Sequence, residues 1–311
     1  MKFRTGALCW FHELAGKKMI VGKYFKFRFE KHKYDDFRSH DFELIIEADK
    51  EEKAQQAYEL FIASLTLNDA HTTYPIDDLP SVLSYSLSEL KQDFFQHQKK
   101  IRRFSQSGIY KAALIAAKAS FKKSHSISLY KYLFGCSQHS NFIVHLDPFE
   151  TDYVKLTRNP LDHLRYSYAI LAFYSIIEEL GLEIRASQTN PSKIKGTWNP
   201  DVKHELELRL KKAKVDISKK AVWNLRSRPT KVHKKDKLQL VGKAVWSRYS
   251  IRDSMIEVVD AISYTSWVRS KIIAHKLNNS FLSISIYDVA NVNFLVRQIL
   301  LDILESNNHE K

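Results

Sequence analysis

The chain has 311 residues, of which 44% are hydrophobic and 12% aromatic, and this composition predicts a folded protein rather than a disordered one. Its net charge of +14 is concentrated in two stretches. Residues 94–146 hold nine Lys or Arg and no acid, and residues 190–245 hold sixteen Lys or Arg against five acids. Localised positive charge favours a polyanion such as nucleic acid, although a solvated basic face explains it as well.

Several common kinds of site are excluded by the sequence. Cys9 and Cys136 are far apart, which excludes a thiolate zinc site and a disulfide-framed secreted domain. The eight glycines are too dispersed for a phosphate-binding loop or a dinucleotide fingerprint. There is no signal-peptide core and no apolar run of roughly 18 residues. We therefore expect a cytoplasmic protein with no membrane segment, no metal and no cofactor.

Residues 1–80 predict a small α+β unit. Within residues 18–30, Phe25, Phe27 and Phe29 alternate with charged residues, a pattern typical of a half-buried strand. A second strand is predicted over 41–47 and a helix over 50–67. Residues 81–150 predict a helical, basic connecting region, with a helical pattern over 86–132 that weakens at 105–108.

Residues 151–311 predict a helical bundle with a basic insertion over 190–245. A strong helix over 162–180 ends at Gly181, and a shorter one is expected over 204–214. Long helical patterns follow over 251–273 and after Ser285, a candidate N-cap. The buried stripe of the last helix consists of Val289, Val292, Val296, Ile299 and Ile303.

One arginine falls where the helical pattern predicts packing. If residues 251–273 form one helix, Arg269 shares an apolar stripe with Met255, Val259, Ile262 and Ile273, and Ser266 lies on it too. An inward-facing guanidinium requires a partner. Two interpretations stay open: a structural arginine paired to Glu178 or Asp260, or a functional group. His275 follows it by six positions, either as a helix-end histidine or as a second functional group.

The sequence Arg269-Ser-Lys-Ile-Ile-Ala-His275 resembles the signature of the HEPN superfamily (higher eukaryotes and prokaryotes nucleotide-binding domains). That signature is Arg, a polar residue, a few mostly apolar residues, then His. The helix around Tyr168–Gly181 looks like the opening helix of such domains in bacteria. Residues 196–200 and 223–230 look like the insertion of one bacterial branch. Ser270 stands where active members often have Asn, His or Asp.

The resemblance implies an α+β unit followed by a HEPN-like bundle that acts as a metal-independent endoribonuclease. In a homodimer, both copies of Arg269 and His275 would line one cleft, with Ser270 and Glu178 in supporting roles. The ribose 2′-OH attacks the phosphorus, His275 serves as general acid and base, and Arg269 stabilises the transition state. The expected RNA contacts are Arg226, Arg228, Lys231, Lys234 and Lys235.

The same resemblance suggests bacterial phage defence or a toxin–antitoxin-like system as the setting. The N-terminal half would then sense a trigger or an inhibitory partner. The main alternative is a catalytically inactive module that binds RNA or protein. A DNA-binding regulator is a third interpretation, for which the sequence offers no helix-turn-helix.

Overall fold

The structure, a computed structural model, describes residues 1–10, 19–31, 41–69, 79, 81–84, 102–104, 108–143, 160–224, 253–270, 284 and 286–305. Helices predominate over a smaller set of mainly antiparallel strands, so the mixed α+β class is confirmed. The chain divides into two compact units, residues 1–133 and 134–311. By this division residues 81–133, which we expected in a connecting region, belong to the first unit.

The first unit contains a sheet of six strands among the described residues. These are β1 (Lys2–Trp10), β2 (Ile20–Val21), β3 (Phe25–Lys31), β4 (Asp41–Ala48), β5 (Leu83–Ser84) and β6 (Arg102–Phe104). Their order is β2-β3-β4-β1-β5; β6 runs parallel to β1 and the other pairs are antiparallel. The predicted strands β3 and β4 are confirmed. The helix predicted over 86–132 is wrong at β6, because this segment pairs with β1, a distant strand that the sequence analysis missed.

The two faces of the sheet have different chemistry. Phe27, Leu44 and Ile46 are fully buried on one face, and the Phe27 ring lies 6.0 Å from Phe61 of helix α1 (Glu51–Asp69). The opposite face carries three ion pairs. These are Lys2–Glu30 at 2.8 Å, Arg28–Glu47 at 2.7 Å, and Arg4 with Glu43. Strand alternation places the charged residues on this face, as the sequence predicts for β3.

Two helices complete the described part of the first unit. Helix α2 (Ile109–Ala119) packs along α1 and against β2. Its alanines are buried, and their small side chains allow close approach between helices. Helix α3 (Lys123–Ile143) follows after a short turn and crosses the boundary between the two units.

The second unit is a set of helices with two small two-stranded sheets among the described residues. The helices are α4 (Pro160–Glu179), α5 (Pro200–Lys212), α6 (Val258–Val268) and α7 (Ile286–Glu305). One sheet is the hairpin of β7 (Lys193–Ile194) with β8 (Thr197–Trp198), and the other pairs β9 (Lys220–Asn224) with β10 (Asp253–Glu257). Helix α4 packs on α7, and α6 contacts both. The predicted stripe of α7 is confirmed, since its five residues are at most 7% exposed.

The single long helix predicted over 251–273 is wrong. Residues 253–257 form β10, which pairs antiparallel with β9, and the helix begins only at Val258. Met255 therefore lies in a strand and is 45% exposed, whereas Val259 and Ile262 are buried in α6 as predicted. Ile273 lies outside the described residues.

The C-terminal end of α4 is fixed by two devices. Gly181 adopts a left-handed backbone (φ +70), and Leu182 donates its N–H to the carbonyl of Ile177 at 2.8 Å, which closes the helix as predicted. Arg209 of α5 donates to the carbonyl oxygens of Gly181 at 2.6 Å and Glu183 at 2.8 Å. This end of α4, which carries Glu178, is therefore held by a side chain from another helix.

Candidate functional site

Two helices bring the predicted Arg269 and Glu178 together. Tyr174 and Glu178 are four residues apart on α4, so they share a face, and Arg269 follows directly after α6. Nη2 of Arg269 lies 3.3 Å from Oε1 of Glu178. The guanidinium carbon lies 5.7 Å from the centre of the Tyr174 ring, within range of a cation–π interaction. Of the two carboxylates considered as partners, Arg269 contacts Glu178.

Asp260, the other carboxylate considered, has a different partner. Its Oδ1 accepts a hydrogen bond from Nε1 of Trp198 at 2.6 Å, which joins the β7–β8 hairpin to α6. Asp260 therefore has a described structural role at this hairpin, separate from the Arg269 contact.

The expectation that Arg269 faces inward is wrong. Its side chain is 43% exposed and that of Glu178 is 41% exposed. The reason is that Arg269 lies at the end of α6, just past its last residue, Val268, rather than within the packed part of the helix. An ion pair at this exposure contributes only about 0.2–1 kcal/mol to folding. The contact orients the two side chains more than it stabilises the protein.

Most of the hydrogen-bonding capacity of Arg269 is not used by the described residues. A guanidinium carries five N–H donors in a planar fork. The contacts described for Arg269 are one oxygen of Glu178 and the Tyr174 ring. The side chain is 43% exposed, so a phosphate oxygen can approach the guanidinium from solvent.

Tyr174 completes this group, although the sequence analysis did not single it out. The side chain is 4% exposed, and burial raises the pKa of its phenol. A hydrogen bond with the Ser266 side chain opposes this pKa shift, the charge of Glu178 adds to it, and the charge of Arg269 opposes it. The phenol therefore stays protonated at neutral pH. Its spacing of four residues before Glu178 was the signal available in the sequence.

Ser270, the predicted supporting residue, is directed at the helix backbone. Its hydroxyl donates to the carbonyl oxygen of Ser266 at 2.8 Å, four residues earlier. This bond is local and continues the helical path through Arg269. The supporting role of Ser270 in chemistry stays a prediction.

The other predicted site residues fall outside the described residues. This applies to the catalytic candidate, His275, and to the predicted RNA contacts, Arg226, Arg228, Lys231, Lys234 and Lys235. Their roles stay predictions.

Comparison of the chain with known protein families, with curated proteins and with solved structures finds no match. Within the described ranges, no three His, Cys, Asp or Glu side chains are grouped so that they could hold a metal ion. No helix in the same ranges has the length and apolar character needed to span a membrane.

Proposed function

We propose that this protein is a metal-independent endoribonuclease of the HEPN type, with Arg269 and His275 as its catalytic residues. The observation that carries the proposal is the half-exposed guanidinium of Arg269, oriented by Glu178 and Tyr174. The resemblance of residues 269–275 to the HEPN signature supports it. A homodimer would supply two copies of each group to one cleft.

The proposed reaction is a transfer within the RNA backbone. His275 removes the proton from the ribose 2′-OH, and the 2′ oxygen forms a bond to the adjacent phosphorus. The bond from phosphorus to the 5′ oxygen breaks, and a protonated histidine, His275 of the second copy, donates a proton to that oxygen. Arg269 binds the phosphoryl oxygens while their negative charge increases. The products are a 2′,3′-cyclic phosphate and a 5′-hydroxyl.

The cleavage test compares variants in the presence of EDTA on a single-stranded RNA. We expect Arg269→Ala to lower the cleavage rate by about 10²–10³-fold, as loss of a transition-state donor does. His275→Ala should lower it by about 10²–10⁴-fold. The measurement is the rate of appearance of fragments ending in a cyclic phosphate.

Two residues of the second unit provide matched controls. Arg185→Ala removes another exposed arginine that is paired to a glutamate, at 3.0 Å from Glu183. His204→Ala removes an exposed histidine of α5. Both controls should cleave like the parent. Equal rates in all five proteins, or no cleavage by the folded parent, would contradict the proposal.

The second candidate is a catalytically inactive module that binds RNA or protein. The Arg269–Glu178 contact favours it, because an arginine with a carboxylate partner satisfies a structural role. This candidate predicts that RNA stays intact in every variant. The proposed setting in phage defence or a toxin-like system, with the first unit responding to a trigger, follows from the same resemblance.

A further inference from the structure

Two surface turns of the first unit lie side by side. One turn, Gly22–Tyr24, joins β2 to β3, and the other, Ser120–Lys122, joins α2 to α3. The backbone N–H of Lys23 donates to Oγ of Ser120 at 2.8 Å, which ties the two turns together. Helix α2 also packs against β2 at this position.

Hydrogen bonds within each turn fix its shape. The N–H of Gly22 donates to the carbonyl of Phe25 at 2.9 Å. Oγ of Ser120 donates to the carbonyl of Ala117 at 2.6 Å while it accepts from Lys23, so this hydroxyl bonds both turns. The N–H of Lys122 donates to the carbonyl of Ala119 at 3.2 Å. The side chains on both turns are therefore presented on an ordered backbone.

The turns present aromatic rings and cations to solvent. Phe121 is 57% exposed and Tyr24 is 45% exposed. Lys23, Lys122 and Lys123 are exposed, and none of the three forms an ion pair with a described residue. Nζ of Lys23 lies 5.0 Å from the centre of the Tyr24 ring. We call this set of five residues the paired-turn surface.

The positive charge of Lys122 and Lys123 opposes folding. Lys122 and Lys123 lie at the N-terminal end of α3, where the helix dipole is already positive and the first turn holds no acid. Beside them, the pKa of His125 is lowered to about 4, first by burial and then by the charges of Lys122 and Lys118. The Lys53–Asp49 ion pair, at 2.7 Å, lies on the Tyr24 side, where Nζ of Lys53 is 5.8 Å from the ring. Fold stability therefore does not account for Lys122 and Lys123.

We infer that the paired-turn surface binds single-stranded nucleic acid, with its phosphates on the three lysines and unpaired bases stacked on Phe121 and Tyr24. Exposed rings interleaved with cations are the arrangement by which proteins hold single strands without reading their sequence. A duplex offers phosphates but keeps its base faces stacked, so it would leave both rings without a partner. The inference is independent of Arg269 and His275, which lie in the other unit.

The binding test uses a fluorescently labelled oligothymidylate of about 20 nucleotides and the full chain. This probe lacks the 2′-OH, so the cleavage chemistry proposed above cannot destroy it. We expect Lys122→Gln combined with Lys123→Gln to weaken binding about ten-fold, measured by fluorescence anisotropy. Phe121→Ala should also weaken it about ten-fold through lost stacking.

The matched control is Lys211→Gln combined with Lys212→Gln, at the C-terminal end of α5. Both lysines are exposed, so the change in net charge is identical. There the lysines favour the helix dipole, so their removal should slightly lower the thermal midpoint, whereas removal of Lys122 and Lys123 should leave it unchanged or raise it. Weaker binding by a variant that is at least as stable as the parent cannot result from unfolding.

Each remaining outcome overturns the inference. If the Lys122/Lys123 variant binds the oligonucleotide as tightly as the parent, the paired-turn surface is not the binding site. Equal weakening by the Lys211/Lys212 control would mean that total charge, and no local surface, is responsible. Binding to vesicles of anionic phospholipid, with no binding to the oligonucleotide, would assign the surface to a membrane instead.

Discussion

His125 shows how two neighbouring lysines affect a single titratable group. Its pKa is lowered to about 4, chiefly by burial and further by Lys122 and Lys118. An unfolded histidine titrates near 6.5. Between these two values the unfolded chain holds a proton that the folded chain does not. Stability must therefore fall as pH decreases from about 6.5 towards 4.

We expect His125→Gln to remove part of this pH dependence. The parent should lose stability between pH 7.5 and pH 4.5 more steeply than the variant, because only the parent has to exclude a proton at this position. Urea unfolding at several pH values measures both curves. Parallel curves for the two proteins would contradict the lowered pKa.

The sequence predicted part of the Arg269 site and missed the rest for physical reasons. The pattern indicates Arg269 because it falls on an apolar helical stripe, and Glu178 because it projects from the flank of another apolar row. Tyr174 was not indicated, because a tyrosine in a helix is usually core, and the cation–π contact depends on how α6 lies against α4. The predicted burial of Arg269 failed because this residue lies just past the end of α6 at Val268, outside the packed part of the helix.

At the scale of elements, nonlocal pairing explains the main errors. Residues 253–257 carry a pattern that fits a helix, yet Ile256 is buried while Met255 is exposed, as strand alternation requires. The pairing partner, β9, lies about thirty residues earlier in the chain. A short strand of this kind is fixed by its neighbour rather than by its own propensity. Helices α4 and α7 were predicted well because their periodicity extends over 20 residues each.

The ion pairs on one face of the six-stranded sheet allow a test of how burial changes the contribution of an ion pair to stability. Arg4 and Glu43 are 8% and 3% exposed, and Nε of Arg4 donates to both carboxylate oxygens of Glu43, at 3.0 and 2.8 Å. We expect Glu43→Ala to lower the free energy of unfolding by about 3–5 kcal/mol, because it leaves a buried guanidinium without this carboxylate. Chemical denaturation measures the change.

A second pair on that face is the control. Lys2 and Glu30 are 2.8 Å apart but 43% and 33% exposed, so Glu30→Ala should cost no more than about 1 kcal/mol. Replacing both buried charges, as Arg4→Met with Glu43→Leu, should recover much of the loss caused by Glu43→Ala. A loss in the double variant as large as that in Glu43→Ala would show that the charge itself is not the cause.

At the scale of the whole molecule, the fold brings together lysines from distant parts of the chain, and the sequence alone indicates only some of them. The stretch 94–146 was recognised as basic, and it contains Lys122 and Lys123. Lys23 and Tyr24 come from a different part of the chain and join them only through the contact between two turns. No reading of local composition could have placed these residues together.

The salt dependence of nucleic-acid binding measures this charge. Each phosphate contact on a single strand contributes roughly 0.7 to the slope of log affinity against log salt. Loss of Lys122 and Lys123 should therefore reduce that slope by about 1.4, while Phe121→Ala leaves it nearly unchanged. Titrations between about 50 and 200 mM salt give the slopes. An unaltered slope in the lysine variant would mean that these side chains contact no phosphate.

The hydrogen bonds from Arg209 to the carbonyls just after α4 have a consequence for how this architecture can vary. Arg209 belongs to α5, so the segment that contains α5 cannot be deleted without loss to α4. Its deletion would leave the carbonyl oxygens of Gly181 and Glu183 without this donor. A shorter protein with the same fold would need another cationic side chain at this position. Without one, the carboxylate of Glu178, one turn earlier, would no longer be held in place.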